Sequence, residues 1–123
     1  MLELLAEAAG AHPGLKRWGK FVSTTILIGI GEKDYLIEID NGEVKDVRPR
    51  RIAVESGVFA IRAPAEVWAE HWRPHPKRGY HDLYHMFSYG KARIDGDITP
   101  FMQNLIFFKL LLAAPRALNR RGT

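Results

Sequence analysis

"YGKARIDGDITPFMQNLIFFKLLL", residues 89–112, decides the fold. It leaves Gly90 as a short strand, "KARIDGD", which ends at Gly96, and then turns into a helix. Thr99 is placed to cap that helix, Pro100 sits at its first position, and Pro115 is expected to close it after about four turns. Phe101, Met102, Leu105, Ile106, Phe107, Phe108, Leu110, Leu111 and Leu112 do not share one stripe; they cover well over half of its circumference. A helix resting on a sheet needs only one apolar face. The second face therefore calls for another element, a cavity, a subunit or a lipid.

Upstream of this stretch the patterning is that of a sheet. "FVSTTILIGIG" is rich in β-branched residues, and "DYLIEID" alternates apolar and acidic positions. Asn41-Gly42 marks a tight hairpin, because type I′ turns need positive φ at both central positions. "EVKDV" continues as a third strand, "RPRRIAVESG" is a connection, and "VFAIRA" is a fourth strand. The period then changes in "APAEVWAEHW", where Pro64 suits a helix start and Pro74 and Pro76 end the pattern. "GYHDLYHMFSYG" is a further short helix. At the N-terminus, residues 2–9 read as a helix and "HPGLKRWGK" as a loop with a basic, aromatic edge. The order predicts a single α+β domain over residues 1–123, with a five-stranded, mostly antiparallel sheet, a core at about 21–114 and a basic tail at 116–123.

Composition bounds the chemistry. The chain has 123 residues and no cysteine, which excludes disulfides and thiolate sites and suits a reducing cytoplasm. "MLELLAEAAG" has no basic region and does not read as a signal peptide. "LIFFKLLLAA" is interrupted by Lys109 and is too short to span a bilayer. The net charge of +4 lies wholly in residues 98–123, which hold Lys109, Arg116, Arg120 and Arg121 and no acid. Basic residues that follow an apolar helix, rather than spreading over a face with aromatic readers, argue against a nucleic-acid partner. They suit transient contact with a membrane surface or an acidic partner.

Three passages together resemble the sterol carrier protein type two (sterol-transfer) domain family: "DYLIEIDNGEVKDV", "GVFAIRAPAEVWAEHW" with its Glu66/Trp68 pair, and "YGKARIDGDITPFMQNLIFFKLLL". The likeness runs over residues 24–114. It implies a sheet covered by helices on one side, an apolar tunnel between the layers, a sterol, fatty acyl or isoprenoid-type ligand, and no cofactor. The family carries no invariant catalytic set. The chain departs from the pattern in the link "RPHPKRGYHDLYHMFSYG", which is longer and rich in histidine and tyrosine, so the ligand is expected to carry polar groups for this segment to read.

That link, with the end of the preceding helix, holds His71, His75, His81 and His85. His81 and His85 share a helix face, whereas Pro74 separates His71 from His75. Two imidazoles without a third converging ligand do not make a zinc site, and no motif such as HExxH supplies one, so no metal is expected. An acid/base role for His81 or His85 with a neighbouring Tyr or Asp would make a small isomerase or lyase. A third reading, an adaptor, would use the closing helix and basic tail on a membrane or partner. The preferred reading is a non-enzymatic binding site in which His81 and His85 contact the polar end of a ligand and Ile28, Tyr84, Phe87, Phe101, Leu105, Phe108 and Leu112 form its apolar wall. Trp68 and Trp72, four residues apart, are expected in the core. "RPRR", residues 48–51, is connection chemistry that could hold a carboxylate or phosphate. Asp97 with Thr99 is expected to cap the last helix.

Overall fold

The β-branched run at 24–30 becomes β1 (Thr24–Ile30), the central strand of a five-stranded sheet in a computed structural model that describes residues 2–52 and 54–121. β1 pairs antiparallel with β2 (Lys33–Asp40), which pairs antiparallel with β3 (Glu43–Pro49). Asn41 (φ 50°) and Gly42 (φ 81°) make the β2–β3 turn with the left-handed backbone that the Asn-Gly pair tolerates best. β4 (Phe59–Ala63) lies parallel to β1 on its other side, and β5 (Arg93–Gly96) pairs antiparallel with β4. The order is β3-β2-β1-β4-β5, mostly antiparallel with one parallel pair. This matches the sequence expectation for the sheet.

Alternation sorts the strands into two faces. Ile26, Ile28, Ile37, Ile39, Phe59, Ile61 and Ala63 belong to one buried cluster with the helices. Leu27 and Leu36 are also buried, but they pair with each other on the opposite face. There Gly29, which has no side chain, lets Arg62 reach across to Asp34 (Nη1 to Oδ1 2.6 Å); a Cβ at Gly29 would stand 2.9 Å from Arg62 Cγ. Arg50 closes on the other Asp34 oxygen at 3.1 Å, and Arg48 meets Glu55 at 3.0 Å. Arg48 and Arg50 of "RPRR" thus hold the β3–β4 connection against the outer face using the chain's own carboxylates.

The helices are α1 (Leu5–Gly10), preceded by a 3-10 turn at Leu2–Leu4, then α2 (Pro13–Trp18), α3 (Ala65–His71), α4 (Leu83–Ser88), α5 (Thr99–Gln103), α6 (Leu105–Ala113) and α7 (Pro115–Arg121). Three expectations need correction. The segment read as a loop at "HPGLKRWGK" contains α2: His12 Nδ1 accepts the Gly14 N–H at 3.1 Å, and Pro13 begins the helix where its missing N–H has no consequence. The closing helix is three helices. At Asn104 (φ −123°, ψ 35°) the backbone leaves the helix, and its side-chain amide donates to Pro100 O at 3.1 Å beside its own backbone N–H at 3.2 Å. Pro115 opens α7 rather than ending the run, since a first-turn proline disrupts nothing. Thr99 is not a cap; Asp97 Oδ1 accepts its N–H at 3.1 Å, and so this part of the Asp97–Thr99 expectation holds.

Candidate functional site

The region between α6 and the sheet is filled by aromatic rings. Phe108 stands edge-on to Phe59 (centroids 5.1 Å) and Phe107 (5.1 Å) and stacks with Phe101 at 5.9 Å. Phe87 adds an edge contact to Phe101 at 5.7 Å. Of the nine expected ligand contacts, Ile28, Phe101, Phe108 and Leu112 lie together in this buried cluster, with Phe87 and Leu105 partly buried against it. Tyr84, His81 and His85 are exposed. The two-sided character of the closing helix is resolved unequally. Phe107, Phe108, Leu111 and Leu112 are buried, while Met102 and Ile106 remain 47% exposed.

Open space lies at the margins of this packed layer. A cavity of about 400 Å³ sits between α1, α2 and the start of β3, lined by Ala6, Ala9, Leu15 and Val44 with His12 and Lys16 at its polar side. A second, of about 550 Å³, runs past Leu2, Ile30, Tyr35, Ala65 and Trp72. Others of about 630 and 200 Å³ border Arg62–Ala63 with Lys91–Arg93, and the outer-face residues Leu27, Ala60 and Arg62. None of these four is lined by any of the nine expected contacts.

The histidines divide by environment. His81 precedes α4, whose N-cap is Asp82, so the expected helix face shared with His85 does not form; the two rings still meet edge-on at 5.5 Å, and His85 lies 6.1 Å from Tyr89. Asp82 between them is committed elsewhere: it caps α4 by accepting the Tyr84 N–H at 2.9 Å and pairs with Lys109 at 3.2 Å. Burial pushes its carboxyl up, but the Tyr84 N–H and the Lys109 ammonium outweigh that and leave it below its ordinary value. Among the described residues, no group of three or more His, Asp or Glu side chains is placed to hold a metal ion.

His71 is different. It is 1% exposed, and its Nδ1 lies 2.7 Å from Tyr80 O. A carbonyl only accepts, so Nδ1 carries the hydrogen and Nε2 presents a lone pair, which is buried without a partner. Burial is the main cause that lowers the His71 pKa to about 4; the Tyr80 carbonyl opposes it and Arg116 adds to it. The Arg116 guanidinium donates to His71 O (3.0 and 2.8 Å) and His81 O (3.1 Å). Its 3.5 Å approach to His71 Nδ1 brings two donors together and is no hydrogen bond. Sequence reasoning counted Arg116 with a basic tail, yet residues 115–121 run as α7 and Arg116 ties that helix to the histidine-rich segment. The Arg120 and Arg121 side chains lie outside the described residues.

Trp68 and Trp72 are in the core, as expected, stacked at 5.2 Å with their indoles donating to Gly29 O (2.9 Å) and Leu112 O (2.7 Å). The indoles thus hold α3 against both β1 and α6.

This arrangement, an open five-stranded sheet with helices packed on one face and one parallel strand pair beside the centre, is the sterol carrier protein 2 fold. The chain is similar to a crystal structure of sterol carrier protein 2, with a TM-score of 0.73 and 11% identity over 91% of this chain and 90% of that one. It is also similar to the ubiquinone synthesis protein UbiJ-SCP2 (TM-score 0.61, 18% identity, 94% and 88% covered). A third similar structure is the apo form of sterol carrier protein 2 from Yarrowia lipolytica (0.57, 9% identity, 92% and 87% covered). No protein-family model and no curated protein matches the sequence.

Proposed function

We propose that this domain binds one hydrophobic, lipid-like molecule (a sterol or steroid, a fatty acyl derivative or an isoprenoid) between its sheet and its helices, in the cytoplasm, and transfers or presents it. The observation that carries this reading is the aromatic cluster of Phe59, Phe101, Phe107 and Phe108 between the layers of a sterol-carrier fold. Rings held by dispersion and burial, with no hydrogen bonds to break, exchange contacts with an apolar ligand at small net cost. The backbone break at Asn104 gives α5 and α6 separate freedom to part. Ile28, Phe101, Phe108 and Leu112 then form the inner wall, Phe87 and Leu105 its side, and Tyr84, His81 and His85 the rim that meets a polar end. The space at the α1–α2–β3 corner, bordered by Leu15 and Val44, offers room to continue the chain of a longer ligand.

The test is native mass spectrometry of the protein purified from its own cells, followed by lipid extraction. One co-purifying lipid per chain is expected, with retention lost in Phe108→Asp. A wholly ligand-free protein that also fails to take up fatty acid, sterol and isoprenoid quinone probes would refute the reading.

A further inference from the structure

The segment from α2 into β1 alternates pinned and presented residues. Leu15 is 1% exposed and Val22 6%. Gly19 is buried, and a Cβ there would collide with the Phe107 ring and with Gly42 Cα. The Gly19 N–H donates to Leu15 O (2.8 Å), the Val22 N–H to Gly19 O (2.9 Å) and the Gly42 N–H to Val22 O (2.9 Å). A turn fastened at these points holds the intervening side chains outward. Trp18 is 49% exposed and Phe21 89%, with the Lys20 ammonium 5.4 Å from the Phe21 ring centre. Lys16, Arg17 and Lys20 are exposed beside them, and residues 11–23 contain no acid. Glu43 engages Lys16 at 3.5 Å and is also shared with Lys45.

A phenylalanine exposed to this degree, on a backbone with little freedom to withdraw it, calls for an occupant. We propose that the α2–β1 turn docks the domain on an anionic bilayer, with Trp18 and Phe21 entering the headgroup–acyl boundary and Lys16, Arg17 and Lys20 meeting lipid phosphates. Tryptophan favours that boundary because one edge of the indole is polar, and lysine and arginine stems can lie along it with their charges in the headgroup layer. A protein partner would ask for a broad packed patch of roughly 800 Å² with a buried centre, whereas the apolar atoms here stand on two rings at the tip of a turn. At the closing helices Ile98, Met102 and Ile106 are also exposed, but Lys109, the cation of α6, is already paired with Asp82. Lys16 also lines the 400 Å³ cavity between α1, α2 and β3, so the docking face and that opening adjoin. The proposal rests on the carrier reading for its purpose, delivery or collection of lipid, and on the turn's own geometry for its location.

The chain's three tryptophans make the test direct. Trp68 is 0% and Trp72 5% exposed, so a fluorescence shift on adding vesicles reports Trp18. The whole protein is titrated with vesicles of mixed phosphatidylglycerol and phosphatidylcholine, and with phosphatidylcholine alone. Expected are a blue shift and co-sedimentation with the anionic vesicles only, both declining as salt rises. Phe21→Asp, at a site too exposed to matter for folding, should weaken binding more than tenfold. Replacing Lys16, Arg17 and Lys20 together by Ser should weaken it about a hundredfold, at about fivefold per cation. Absence of vesicle binding, equal binding to neutral vesicles, or preference for an acidic peptide or RNA over vesicles would overturn the proposal. So would binding that survives these changes and is abolished by Arg120→Ser with Arg121→Ser. Vesicle binding by a protein that carries no extractable lipid and takes up none of the lipid probes would leave the docking face standing and remove the carrier reading; lipid carriage without vesicle binding would do the reverse.

Discussion

His71 makes folding stability depend on pH with a defined sign and size. Its imidazole titrates at 6.5 when unfolded and at about 4 in the folded chain, because burial among Trp68 and the α3–α4 segment disfavours the cation. The charged groups that act on it are Arg116 and His81, which lower its pKa, and Asp82, which raises it; the Tyr80 carbonyl accepts from Nδ1 and also raises it. Above pH 6.5 neither state binds a proton, and the full stability is present. As pH falls below 6.5 the unfolded chain takes up a proton that the folded chain refuses, so stability declines by about 1.4 kcal/mol per pH unit down to about pH 4. The whole window removes about 3 kcal/mol, a large part of the stability of a domain this size. The assay is urea unfolding of the native protein and of His71→Asn between about pH 7 and pH 4. The asparagine amide can still donate to Tyr80 O but does not titrate. Subtracting the two curves cancels every other titrating group, and the difference should fall along the stated slope. A difference that stays flat, or an NMR titration placing the folded His71 near 6.5, would refute the burial argument.

Three further substitutions test the packing. Phe108→Ala removes a ring in contact with Phe59, Phe101 and Phe107 and should cost about 3–5 kcal/mol in chemical denaturation, with part recovered on adding a lipid that fills the void. Gly19→Ala drives a methyl into the Phe107 ring and the Gly42 backbone; an expected loss of about 1–3 kcal/mol is read from the shift in urea midpoint, and a neutral result would show that the turn is not pinned as described. Arg116→Ala strips the His71 and His81 carbonyls of their donor, which should cost about 2–3 kcal/mol and raise amide exchange across residues 115–121 before the sheet opens.

The sheet was legible because its signals are local. The Asn41-Gly42 turn, the alternation in "DYLIEID" and the β-branched run ending at Gly31 each act within a few residues; the parallel β1–β4 pairing was not legible, because it depends on where the β3–β4 connection carries the chain. The helical side was less legible because its decisive interactions are between single side chains. The closing helix breaks at Asn104, whose side-chain amide bonds Pro100 O, and an asparagine in an otherwise helical run gives no such signal in sequence. His12 caps α2 through Nδ1, a role for which serine or aspartate is the usual signal. Among the histidines, periodicity points to His81 and His85, yet burial selects His71, whose surroundings join Trp68 of its own helix to Tyr80 and to Arg116 from two other places in the chain. "HPGLKRWGK" was recognised as basic and aromatic, but the buried Gly19 and Val22 that hold its side chains outward could not be inferred without knowing what Phe107 packs against.

Which face can accept a lipid follows from how the sheet spends its charges. The outer face is crossed by the β3–β4 connection and closed by Asp34 between Arg50 and Arg62, with Arg48 on Glu55; opening it would strand these groups in contact with an apolar ligand. Among the described residues the helical face carries no such network over Ile26, Ile28, Ile37, Phe59 and Ile61, and the residues clustered with them are aromatic and aliphatic. A lipid that displaces Phe108 from Phe59 trades one apolar contact for another, whereas one that displaces Arg62 from Asp34 must desolvate both charges. The difference amounts to several kcal/mol per ion. Under the proposed carrier reading, entry is therefore expected on the helical side, which at the α1–α2–β3 corner has a cavity whose rim residue, Lys16, lies on the helix that leads into the turn presenting Phe21. Selective weakening of the outer network, for instance by Arg62→Ala, should accordingly lower stability without changing lipid uptake, while any change that seals the corner should slow uptake and leave stability in place.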